Sequence, residues 1–150
     1  MKAVIQRVLR ARVTVDGEVV GAIERGGLIL LGVEEGDGDE EVEAAATKIA
    51  KLRFFPGETP MDLTLGDVGG SCLVISQFTL AANIRKGNRP SFTAALDPES
   101  AQTLYLRFAD RLESLGIPTA RGVFGAKMAV ELVNDGPVTF LLDCRDGRVQ

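Results

Sequence analysis

The sequence predicts a single α/β domain, and three patterns carry that reading. Short apolar runs of strand length occupy the first third and the middle, two amphipathic stretches of helical period follow them, and apolar strand patterns return near the C-terminus. A chain of 150 residues is one domain long and can bury a core without disulfide or metal staples. No repeat, low-complexity stretch or linker divides it, so residues 1–150 read as one unit with sheet on one side of two helices.

The first third reads as β structure. Val4, Val8, Val13 and Val15 stand among polar partners, and Asp16-Gly17 is a two-residue hairpin signal between Ala11–Val15 and Glu18–Ile23. Gly26-Gly27 opens the run Leu28–Val33, apolar enough for a strand buried on both faces. A helix follows, with Asp39 as its N-cap, Glu40, Glu41 and Glu43 near the positive end of its dipole, and Val42, Ala45, Ile49 and Leu52 on one face. Pro56-Gly57 is expected to end it, and an irregular excursion is expected over Glu58–Gly70. Cys72–Ile75 reads as a second buried strand. Asp97 caps a second helix with Pro98 at its first position and Ala101, Leu104, Phe108, Leu112 and Leu115 facing the core, until Gly116 and Pro118 stop it. Alternation over Met128–Val133 and an apolar run over Val138–Leu142, read as a last buried strand, complete the pattern.

Composition narrows the chemistry. The chain has no histidine, which removes Ser-His-Asp and Cys-His arrangements and argues against a zinc site. Cys72 and Cys144 lie in apolar stretches and read as buried, reduced thiols. No apolar run approaches the roughly 20 residues a membrane span requires, and the N-terminus lacks the apolar region of a signal peptide, so a cytoplasmic protein is expected. A net charge of −4 argues against gripping long stretches of nucleic acid, while leaving room for capture of an RNA end by a local basic patch.

Three segments could carry chemistry. Ser76 and Thr79 follow a buried strand, where the active sites of α/β proteins commonly lie; they could equally end the strand or satisfy backbone groups. A hydroxyl nucleophile needs an adjacent base, which here would have to be a lysine or carboxylate. Asn134-Asp135-Gly136-Pro137 reads first as a hairpin turn, although a Gly-Pro bond can be cis at about 0.5–1 kcal/mol. Arg85, Lys86 and Arg89 form the densest basic cluster, either a solvated loop or a phosphate contact.

Taken together, Ser76-Gln77-Phe78-Thr79-Leu80, Arg89-Pro90-Ser91-Phe92, Phe124-Gly125-Ala126-Lys127-Met128 and Asn134–Thr139, in this order and spacing after Met1–Val8, resemble the D-aminoacyl-tRNA deacylase family along essentially the whole chain. The segment Pro56–Leu65 departs from the family pattern: Thr59-Pro60-Met61-Asp62 stands where that pattern has Gly-Lys-Met-Asn, so no role is carried over to it.

The resemblance implies a three-layer α/β/β fold with mixed sheets and two main helices. It implies a homodimeric hydrolase, needing no cofactor or metal, that cleaves the ester between a D-amino acid and the acceptor end of tRNA. Glycine mischarged on tRNA(Ala) would be a second substrate. Backbone N–H groups of Phe78 and Thr79 would stabilise the oxyanion, with the ribose 2′-hydroxyl of the substrate assisting. Ser76 and Gln77 would line the substrate site, completed by a cis Gly136-Pro137 pair from the partner subunit that rejects L-amino acids. Arg7, Phe124 and Met128 would support the site, Arg7 and Met128 by holding that pair, and Arg85, Lys86 and Arg89 would meet the tRNA. No membrane or DNA partner is implied. The alternatives are a related domain that removes L-serine from tRNA(Thr), a non-catalytic module binding RNA ends, and a purely structural dimer.

Overall fold

The structure, a computed structural model, describes residues 1–150. Its centre is β1 (Lys2–Val15), long enough to serve two layers. The first half of β1 pairs antiparallel with β3 (Gly26–Gly32) and the second half with β2 (Glu18–Ile23). Asp16 and Gly17, both at positive φ (49° and 79°), make the expected tight hairpin between β1 and β2. β3 is followed in the sheet by β4 (Ser71–Ser76) and β5 (Thr119–Arg121), both parallel to it, while β6 (Ala129–Arg145) covers the other edge of β1 and carries the short β7 (Arg148–Val149).

This one seven-stranded sheet curls until β2 lies over β5. A Cβ at Gly21 would stand 2.5 Å from the Arg121 carbonyl oxygen, so only glycine admits that approach. Val8, Ala11, Val13, Ile23, Leu28, Leu73 and Ile75 fill the space between the two β layers. The larger core lies on the other face, where α1 (Asp39–Lys51) and α2 (Pro98–Ser114) bury Val42, Ala45, Ile49, Leu104, Tyr105, Phe108 and Leu112 against Ile5, Ile29, Leu31 and Val74. The result is the expected helix layer on two β layers. Cys72 and Cys144 are both buried and free, and burial pushes the Cys72 thiol up to about 12.

Three boundaries differ from expectation. Gly38, not Asp39, is the N-cap of α1, because the Glu41 carboxylate turns back to accept from the Gly38 N–H (2.8 Å). The other oxygen of this buried carboxylate accepts from Gly147 N–H (2.7 Å), tying α1 to the tail. Secondly, α1 stops at Lys51, ahead of Pro56-Gly57, because Phe54 and Phe55 must both be buried and need the extended chain that begins at Leu52. The excursion over Glu58–Gly70 is irregular as expected, closed by a bridge between Phe55 and Leu63.

The third difference concerns Asn134–Pro137, which is no hairpin. The strands before and after it both pair with β1, as one strand. Gln6 faces Thr139 and Val8 faces Asn134, so two steps along β1 match five along β6 and three surplus residues bulge out opposite Arg7. Arg10 then faces Val133, which leaves Leu9 as the compensating surplus residue on β1. Gly136 and Pro137 sit exposed on the bulge, joined by a cis bond.

Candidate active site

β4 ends at Ser76, which pairs with Leu31 of the parallel β3. Gln77 N–H donates one last bond to the Leu31 carbonyl (2.7 Å), and the chain then breaks from the sheet into a short 3₁₀ turn over Phe78–Ala81. Leu80 N–H closes the turn on the Gln77 carbonyl (3.2 Å). The turn's first two N–H groups, those of Phe78 and Thr79, have no acceptor in the chain. Both residues are exposed, and Gln77 Nε2 donates to Thr79 Oγ1 (2.6 Å).

This turn overhangs a cleft of about 660 Å³ between the sheet and the start of α2. Leu31, Ile75, Tyr105 and Phe124 are among its apolar lining, and Ser76, Gln77, Phe78 and Met128 border it as well. Phe78, 59% exposed, meets Phe92 edge-on at the mouth (ring centroids 5.1 Å apart). Two lining residues are titratable, and both are occupied. Asp97 accepts from Ser100 N–H as the α2 cap, a bond that holds its carboxyl below the usual range. The Tyr105 hydroxyl is spent on the Val74 carbonyl (2.9 Å), and burial raises its pKa. The cleft therefore offers an apolar wall and free backbone donors, and its one carboxylate is engaged through Oδ1 as the α2 cap.

Gly136 and Pro137 do not line this cleft. Their bulge is held from beneath by two side chains. Arg7, 9% exposed, places Nε 3.0 Å from the Asp135 carbonyl oxygen and 3.1 Å from its carboxylate, while Nη1 donates to the Phe54 carbonyl (2.7 Å). Asn134 Nδ2 spans the neck of the bulge, donating to the carbonyls of Arg7 (2.9 Å) and Val138 (3.1 Å). Met128, expected to help hold that pair beside Arg7, borders the cleft immediately before β6.

Arg85, Lys86 and Arg89 are exposed on a loop whose base is a bridge between Asn83 and Ser91. None lines the cleft, but the loop returns to it immediately through Phe92. Phe92 and Tyr105 are the site residues to which sequence reasoning gave no role. Tyr105 was detectable, since it falls on the same face of α2 as Ala101, Phe108 and Leu112 and is the one tyrosine in the chain.

Residues 4–143 match the model of the family described as D-Tyr-tRNA(Tyr) deacylase. The chain is 58% identical over 144 residues to a D-aminoacyl-tRNA deacylase of Geobacter metallireducens, covering 95% of each. It is also 58% identical over 150 residues to that of Chloroflexus aurantiacus, covering 99% of this chain and 94% of the other. Among solved structures it is similar to a c-Myc DNA unwinding element binding protein, with a TM-score of 0.90 and 41% identity over 97% of this chain and 99% of that one. A probable eukaryotic D-amino acid tRNA deacylase shares the fold with a TM-score of 0.77 at 16% identity, over 93% and 97% of the two chains.

Proposed function

For a chain that belongs to the D-Tyr-tRNA(Tyr) deacylase family and is a hydrolase of the D-aminoacyl-tRNA ester, we propose that catalysis is carried by the turn at Phe78–Thr79 with help from the substrate's own ribose. The observation that carries this reading is the pair of unsatisfied N–H groups on Phe78 and Thr79 beside an apolar cleft whose one carboxylate, Asp97, caps α2. Such donors are worth roughly 3–4 kcal/mol each when aimed at a developing oxyanion. An aminoacyl ester is already reactive, so positioned donors and a ribose 2′-hydroxyl that orients water suffice. Thr79 need not attack. Ser76 and Gln77 border the acyl group, the apolar wall at Phe78 and Phe92 suits the terminal base, and Arg85, Lys86 and Arg89 attract the acceptor end.

The chiral filter is assigned to Gly136 and Pro137 of a second subunit. Within one chain the pair lies outside the cleft, on a buttressed and exposed bulge. The outer edge of β6 pairs only with β7 at its end, and Leu141 on that strand is 84% exposed, which suits a homodimer. Fixed carbonyls there would hold the amino group and leave no room for an L side chain. A rigid clash discriminates more sharply than the roughly 1–3 kcal/mol that an added methylene provides. Glycine would pass such a filter, so glycyl-tRNA(Ala) is a second substrate. The enzyme acts where charged tRNA is, in the cytoplasm.

The test compares two perturbations in single-turnover hydrolysis of D-tyrosyl-tRNA. Thr79→Ala should retain the rate within about tenfold, whereas tRNA ending in 2′-deoxyadenosine should react about a hundredfold more slowly, as loss of positioned proton transfer would give. Abolition by Thr79→Ala in a folded protein, with the deoxy substrate unaffected, would make Thr79 the nucleophile instead.

A further inference from the structure

The geometry points to Gly32 as a positioning residue for hydrolysis: by lacking a Cβ it lets the Phe78–Ala81 turn lie directly on the end of β3. This rests on the reading of that turn as the catalytic one. Gly32 is the last residue of β3, opposite Lys2 of β1 and just past Leu31, whose carbonyl takes the Gln77 N–H. A Cβ built on Gly32 would stand 2.8 Å from Leu80 Cβ and 2.9 Å from the Gln77 carbonyl oxygen. Neither neighbour can step aside. Leu80 Cβ is fixed by the backbone, and the Gln77 oxygen is already the acceptor that closes the turn through Leu80 N–H. Gly32 is not at positive φ, so a side chain there meets no backbone strain, and what it disturbs is the contact.

A methyl at 32 therefore lifts the turn and re-aims the free N–H groups of Phe78 and Thr79, which lie between the two atoms it pushes. Oxyanion donors act only within a narrow range of distance, and a displacement of about 1 Å can reduce a rate about a hundredfold. Gly32 touches no substrate. Its effect passes through the turn.

The experiment uses Gly32→Ala with Gly27→Ala as control, a glycine of the same strand where a Cβ would meet nothing closer than Phe54 Cζ at 3.6 Å. Each full-length protein is assayed by single-turnover hydrolysis of D-tyrosyl-tRNA, by tRNA binding, and by the backbone amide resonances of Phe78 and Thr79. Gly32→Ala should displace both resonances and lower the single-turnover rate about ten- to a hundredfold, with the tRNA Kd within about twofold of wild type; Gly27→Ala should do neither. Unmoved resonances in Gly32→Ala, or an unchanged rate, overturn the proposal. Moved resonances with an unchanged rate show that the catalytic reading of the turn has failed, while unmoved resonances show that Gly32 does not hold it. Should Gly32→Ala not fold, Gly32→Ala in a Leu80→Gly background carries the test, because there only the Gln77 carbonyl still meets the methyl. Its rate should lie about tenfold below that of Leu80→Gly alone, and equality of the two overturns the proposal.

Discussion

The turn at Phe78–Ala81 and the bulge at Asn134–Val138 both interrupt strands and both present backbone groups to solvent, but they are held in opposite ways. The turn rests on a neighbouring main chain, pressed against Gly32 and bonded through Gln77 N–H to Leu31, with Tyr105 bracing β4 from below. The bulge hangs on side chains: Arg7 crosses from β1 to Asp135, and Asn134 laces the neck shut. Main-chain contact fixes donors through close packing that admits no added atom. Side-chain lacing fixes carbonyls through bonds that can be deleted one at a time. Substitutions should therefore break the bulge by removal and the turn by addition.

Arg7→Ala is expected to have the largest effect. It strips the Phe54 and Asp135 carbonyls of a charged donor inside a nearly buried site, which should lower stability by about 2–3 kcal/mol in urea unfolding. The ratio of D- to L-tyrosyl-tRNA hydrolysis should fall, while the Phe78 and Thr79 amide resonances stay in place. Movement of those resonances would show that the two regions are coupled and the contrast false. Asn134→Ala removes two neutral bonds and should lower stability by about 1–2 kcal/mol, with a smaller loss of chirality. A D-over-L ratio equal to wild type in that folded variant would leave Arg7 as the bulge's sole support. Tyr105→Phe tests the turn by removal and should do least, about 0.5–1.5 kcal/mol, because Gly122 N–H still donates to the Val74 carbonyl (3.1 Å). A loss greater than that of Arg7→Ala would place the turn's main support in α2.

The same contrast explains what could be read in advance. Local chemistry was legible: Asp16-Gly17 made its hairpin, Asp97-Pro98 started α2, and Leu28–Leu31 supplied the apolar run of β3. Ser76–Phe78 and Phe124, singled out by the sequence, border one cleft. The continuity of β6 was not legible, because Asn-Asp-Gly-Pro carries every local mark of a turn, and only pairing with β1 on both sides makes it a bulge. Nor was the end of α1, set by burial of Phe54 and Phe55 rather than by Pro56. Gly32 is the extreme case, since the reason for a glycine lies in what stands opposite it, here some 45 residues on at Gln77.

Arg7 makes two of its contacts to carbonyl oxygens, at Phe54 and Asp135. A carbonyl is the one acceptor that every amino acid supplies alike, so this part of the anchorage is blind to sequence. Beyond Phe55 the chain can vary where its side chains face solvent, as at Thr59-Pro60-Met61, provided it still passes the same point in space. What selection must guard there is a path. Substitutions at those exposed positions are thereby insulated from the placement of the Asp135 carbonyl.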